Sequence, residues 1–412
     1  MKFDTIKLSE LAAIQTGPFG SQLHKEDYVV HGTPIVTVEH LGDRKFTEQN
    51  LPCVSDKDKE RLKKYILKTG DIVFSRVGSV DRCSYVSAEY EGWLFSGRCL
   101  RVRPCEKLNP KYLYYFFSLE ETKQFVRNIA TGATMPSINT KFMGEIPIRV
   151  PSLETQNKIA SILWMIDDKI ELNEKINKNL LEQIQLLCRS WLVDYAPFGY
   201  EQPATWSIVP LSSIADFVSG YSYKGAELVE SDTAMATIKN FDRKGGFKLD
   251  GYKEIQPSAK LKPEQHAELF DTLVAHTDLT QNAEVIGNAE LILSMSGYKD
   301  IVFSMDVVKV LPKEGVSRFL LAALLQDGRF KTHALGYVNG TTVLHLNKKA
   351  LPEFELPLPS DLEELAPLAN AVEAMYRQIA DNIDESTHLA NLRDTLLPKL
   401  MSGELDISEI DL

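Results

Sequence analysis

The chain has 412 residues, 44% of them hydrophobic and 25% charged, with a formal net charge of −11. That length predicts two or three domains with ordinary cores and excludes a disordered chain or a uniformly basic nucleic-acid coat. Charge is uneven along the sequence: residues 1–150 carry 22 basic and 18 acidic side chains, whereas residues 359–412 carry 3 and 12. Five cysteines without a C-x-x-C pair argue against a disulfide framework or a structural zinc. Asp4 and Glu10 interrupt the N-terminal stretch where a secretory signal needs an apolar run, and the apolar runs 113–117 and 319–325 are too short to span a bilayer. The expectation is a cytoplasmic protein with no membrane contact.

In chain order, the two halves repeat one another. KLSELAAIQTG (7–17) answers PLSSIADFVSG (210–220), and TPIVTVEHL (33–41) answers TAMATIKNF (233–241). GDIVFSRVG (70–78) answers FDTLVAHTD (270–278), and TGATMPSIN (131–139) answers NGTTVLHLN (339–347). A period of about 200 residues is a duplicated domain rather than a solenoid. Each half predicts a short helix capped by Gly17 or Gly220. Strands follow at 35–38, 71–74 and 99–102, and at 272–275, 291–294, 300–303 and 307–310. A helix at 110–118 or 316–326 comes next, then a strand at 146–151 or 354–359. Each half ends in a long helix. The first has Ile159, Leu163, Ile166, Ile170, Leu180, Ile184, Leu187 and Trp191 on a coiled-coil seam, with Asn173 and Asn177 in its middle. The second carries Val372, Ile379, Ile383, Leu389, Leu396 and Leu400, begins at a capping box of Ser360 and Glu363, and ends at Gly403. About 36 helical residues make a rod of roughly 55 Å, whose stripe calls for a partner helix. Acidic side chains on these helices, among them Asp167, Asp168, Asp384 and Glu385, suit a face turned toward protein rather than DNA.

Catalytic signals are missing. Neither a phosphate-binding G-x-x-x-x-G-K-[ST] loop nor a G-x-G-x-x-G occurs, and the eight histidines show no i, i+4 pair. Asn109-Pro110-Lys111-Tyr112 lacks the second proline of a methyltransferase N-P-P-Y and reads as a helix start. Glu121-Thr122-Lys123 reads as a helix surface. What remains is two loop sets of the residue types that read base edges and phosphates. The first holds Ser21, Ser75, Arg76, Ser79, Arg82, Arg98, Thr134, Ser137, Asn139 and Lys141. The second holds Tyr221, Lys224, His276, Thr277, Asp278, Thr280, Gln281, Asn282, Thr341, Thr342, His345, Asn347 and Lys348. No residue is singled out as catalytic or metal-ligating.

Several strings resemble type I restriction-modification specificity subunits. LRDTLLPKLMSGEL (392–405) is similar to that family's C-terminal signature, and PSLETQNKIASIL (151–163) with residues 167–195 to its central conserved region. GPFGS (17–21), GDIVFSRVG and TGATMPSIN also occur in its recognition domains; the second half departs from them, with His276 in place of the arginine. The resemblance implies an α+β fold with two target-recognition domains, at 1–150 and 200–358. Antiparallel coiled-coil helices at 151–199 and 359–412 separate them. It implies a non-catalytic subunit that binds a bipartite, asymmetric site on double-stranded DNA. Two modification subunits would methylate adenine with S-adenosylmethionine, and restriction-translocase subunits would use ATP and Mg. No cofactor is expected on this chain. The alternatives are a coiled-coil protein scaffold without base readout, or a stand-alone DNA methyltransferase or nuclease.

Overall fold

The computed structural model describes residues 3–20, 22–132 and 134–407. The chain forms two compact units: residues 1–168 with 389–412, and residues 169–388.

In the first unit, strands Ala12–Thr16, Cys99–Pro104, Ile72–Ser75 and Cys83–Tyr85 lie in that order in one antiparallel sheet. A second sheet orders Tyr28–Val29, Cys53–Val54, Thr33–Val36 and Leu94–Phe95, the last pair parallel. The continuous apolar runs explain the sandwich between them: Ile72 and Phe74 join one core, while Val73, facing the other way, joins a second with Ile35 and Phe95. Helix Pro110–Ser118 starts where proline predicts, with the Asn109 side chain accepting from Tyr112 N–H at 3.0 Å. Ile159 and Leu163 of helix Leu153–Leu192 share this unit's core with Leu397, Leu400 and Met401 of helix Ala366–Ser402.

The second unit repeats the plan. Strands Ala215–Ser219, Val307–Pro312, Thr272–Ala275 and Ala289–Leu291 form the antiparallel sheet. Thr233–Ala236 lies parallel to Asp300–Phe303 in the other. Asp71 and Asp271, in matching places, are buried and each hold a strand-borne cation. Arg103 makes two bonds to Asp71 at 2.6 and 2.7 Å, and Lys309 reaches Asp271 at 3.2 Å.

Within this unit the two long helices pair antiparallel. Asn173, fully buried, donates to Glu385 at 2.8 Å and Ser386 at 3.2 Å, while Asn382 donates to Asn177 at 2.7 Å. The seam is polar in the middle, as Asn173 and Asn177 predict. Ile184, Val372 and Ile379 are buried, whereas Ile170, Leu180, Leu187, Trp191 and Ile383 are only half-buried, as is Ile166 in the first unit.

Several expectations are corrected. The helices before Gly17 and Gly220 are single turns, Leu8–Leu11 and Leu211–Ser213, and strands run into both glycines. Alternation through Ile14 and Thr16 fits strand pairing, and the glycines serve close backbone approach, not helix capping. A Cβ on Gly17 would lie 2.1 Å from the Ser96 carbonyl oxygen, and one on Gly220 lies 2.2 Å from that of Ser304. The strand expected at 291–294 is Ala289–Leu291, and the one expected at 35–38 is Thr33–Val36, because Thr37 caps a turn. The Ser360 capping box gives way to an Asp361 cap on the 3-10 turn Leu362–Leu365. Gly403 does end its helix, at φ +80°. Four acidic side chains of the long helices also have partners within their own units. Asp167 is buried against Tyr115 and Arg393, Asp168 pairs with Arg44, and Ser294 donates to Asp384. Glu385 pairs with Lys169 at 3.0 Å.

Candidate nucleic-acid interface

In the first unit, backbone hydrogen bonds gather three separate loops. Arg76 N–H donates to the Arg98 carbonyl at 2.8 Å, and Ile138 N–H donates to the Arg76 carbonyl at 3.0 Å. Gly78 N–H donates to the Pro136 carbonyl at 2.8 Å. Thr131 and Ser137 close a hairpin around Gly132, whose φ of +106° suits only glycine. The 17–20 loop joins them: the Arg76 guanidinium lies 5.6 Å over the Phe19 ring, and Phe19 is 57% exposed. Arg76 is therefore steered by an aromatic ring, while Ser79, Arg82, Arg98 and Thr134 are exposed and Ser137 is half-buried.

The second unit builds the same cluster. His276 N–H donates to the Asp306 carbonyl at 2.8 Å, and Leu346 N–H donates to the His276 carbonyl at 2.8 Å. Thr277 pairs with His345, and His345 with Asn339 across the hairpin around Gly340, at φ +114°. The Gln281 side chain donates to the Thr341 carbonyl at 2.8 Å, fastening the 280–282 loop to that hairpin. Burial pushes the His276 imidazole below its ordinary range; His345 and Lys348 add to this, and Asp306 opposes it. His276 is thus a neutral donor and acceptor where the first unit has a permanent cation.

Not every expected residue faces solvent. Ser75 is 2% exposed and its hydroxyl donates to the Val77 carbonyl at 2.8 Å. Thr277 and Asp278 are buried. Burial acts to raise the Asp278 carboxyl, yet bonds from Val285 N–H, Thr280 N–H and the Thr280 hydroxyl hold it below its ordinary range. Tyr221 is buried and donates to Glu227 at 2.9 Å. These four brace loops rather than present side chains. The Asn139 and Asn347 oxygens accept from Phe142 N–H and Lys349 N–H, so both residues shape the chain after the hairpin. Asn282, Thr341, Thr342, Lys348 and Lys141 are exposed on or beside the clusters. Lys224 is exposed on a separate turn, its N–H donating to the Glu227 carboxylate at 2.8 Å. Ser21 lies outside the described residues.

Sequence reasoning missed Phe19, exposed Met135 on the hairpin, and Asp306. The Phe19 signal was present in the G-P-F-G-S string. Asp306 becomes visible only once strands 99–104 and 307–312 are aligned.

The two units present two versions of one loop cluster, and no cluster of three metal-ligating side chains occurs among the described residues. The family described as "Type I restriction modification DNA specificity domain" matches residues 1–182. The Haemophilus influenzae type I restriction enzyme HindI specificity subunit is 24% identical over 90% of this chain and 95% of its own length. The Methanocaldococcus jannaschii MjaIX specificity subunit is 24% identical over 75% of this chain and 72% of its own. The crystal structure of a type I restriction-modification S subunit from M. genitalium superposes with a TM-score of 0.60 at 15% identity, covering 97% of this chain and 96% of that one, a likeness of fold. The chain is similar to type I restriction-modification specificity subunits.

Proposed function

We propose that this chain is the DNA sequence-specificity subunit of a type I restriction-modification enzyme and is itself non-catalytic. Each unit would read one half of a split, asymmetric site. The observation that carries the reading is the duplicated loop cluster. The same backbone bonds recur at Arg76 and His276, yet the side chains they present differ, as two readers of different half-sites require. Exposed Arg82, Arg98 and Lys141, and Lys348 in the second unit, suit phosphate or guanine contacts. Relatedness to specificity subunits supports work in a complex with methyltransferase and restriction subunits on DNA. In our reading two modification subunits bind S-adenosylmethionine and methylate adenine, the restriction-translocase subunits use ATP and Mg, and this chain binds no cofactor. No helix among the described residues is long and apolar enough to cross a membrane.

The test is selection of DNA from a randomised duplex library by the full chain co-purified with its modification subunit. A split consensus supports the reading. Binding without sequence preference, or methylation by the chain alone, overturns it.

A further inference from the structure

Arg98 and Asp306 stand at the same place in the two units. Ser75 pairs with Cys99 and Ala275 with Val307, which puts the preceding residues, Arg98 and Asp306, in register. The flanking bonds repeat as well. Ser96 N–H donates to Val36 and Ser304 N–H to Ala236; Cys99 N–H donates to Ser96 and Val307 N–H to Ser304. Each carbonyl at this position receives the N–H of the cluster's central residue, Arg76 or His276, at 2.8 Å. One backbone frame therefore holds a guanidinium in one unit and a carboxylate in the other. Neither side chain makes a hydrogen bond or ion pair among the described residues.

An unpaired carboxylate amid DNA-facing loops is repelled by phosphate and raises the cost of every complex in which it meets no donor. Such a group contributes to binding only where a base offers an N–H. In the major groove cytosine offers N4–H alone, whereas adenine sets its N6–H beside the N7 acceptor, which repels a carboxylate, and guanine offers the O6 and N7 acceptors that suit arginine. We propose that Arg98 and Asp306 are base-reading residues of opposite sense: Arg98 donates to a guanine in the first half-site, and Asp306 accepts from a cytosine amino group in the second. This rests on the reading of the chain as a DNA-specificity subunit, and it adds the base that each matched position selects.

The experiment uses the full chain co-purified with its modification subunit and a randomised duplex library, comparing wild type with Asp306→Asn, Asp306→Glu and Arg98→Ala. Asp306→Asn is expected to lose about tenfold to a hundredfold preference for cytosine at one position of one half-site, moving it toward adenine. Asp306→Glu, which keeps the carboxylate, is expected to retain cytosine. Arg98→Ala is expected to relax a guanine position in the other half-site only. In each variant the untouched half-site is an internal control for folding. If Asp306→Asn selects the wild-type consensus, or weakens both half-sites equally, the proposal is overturned while the specificity-subunit reading stands. If the wild-type complex selects no sequence at all, both fall.

Discussion

Replacing Glu290 by glutamine should flatten the pH dependence of folding of the second unit. Glu290 sits on strand Ala289–Leu291, buried, with its oxygens accepting from Gly246 N–H at 2.7 Å and the Gln326 amide at 3.2 Å. Gln326 in turn accepts from the Tyr376 hydroxyl at 2.6 Å, so the carboxyl links the sheet to the second long helix. Burial pushes the Glu290 pKa up to about 7 from an ordinary 4.5, outweighing the two hydrogen bonds that favour the charged form. Between those values the folded state keeps a proton that the unfolded chain has lost, so stability falls as pH rises through that window and levels off above it. From about pH 5 to about pH 8 the loss works out at roughly 2–3 kcal/mol. For a unit of this size that is a fall in Tm of about 5–10 °C. Glutamine keeps the shape and cannot ionise, so Glu290→Gln should lose that much less stability over the same range. Urea unfolding of both proteins at the two pH values measures the difference, with all other titrating groups cancelling. Equal pH slopes would refute the claim that a buried, protonated Glu290 belongs to the fold.

Other perturbations have equally definite outcomes. Arg76→Ala should cost about 1–3 kcal/mol at the half-site read by the first unit and leave the other half-site unchanged, measured by competition between single-base variants of the target. Asn173→Asp places a second carboxylate against Glu385, whose contact with Asn173 is 2.8 Å; it should destabilise by about 3 kcal/mol or more at neutral pH and recover as the medium is acidified, followed by denaturant titration. Gly220→Ala drives a methyl group into the Ser304 and Phe303 carbonyl oxygens, 2.2 and 2.4 Å away, and should cost about 2 kcal/mol or more, seen as lost protection from amide exchange in strand Ala215–Ser219.

The duplication was legible because matched strings keep their order over long distances, and the matching loops do share their hydrogen bonds: Arg76 with Arg98 and Ile138, His276 with Asp306 and Leu346. The polar seam was legible because Asn173 and Asn177 interrupt a regular apolar stripe. Its partner Asn382 was not, because one asparagine on a charged helix stands out only when the antiparallel register is known. Gly17 and Gly220 were assigned to helix ends, since sequence shows that glycine is needed there but not that a neighbouring carbonyl fills the space of its side chain. Ser75, Thr277 and Asp278 have the composition of DNA-contacting residues, yet hydroxyls and carboxylates serve equally as internal acceptors and donors in tight loops. Only tertiary burial separates the two uses.

The most direct measurement is the map of methylated adenines in a host genome with and without this gene, partner subunits unchanged. The account predicts that one split, asymmetric sequence class loses its methylation when the gene is removed and that no other class changes. An identical methylation map in both strains would contradict it.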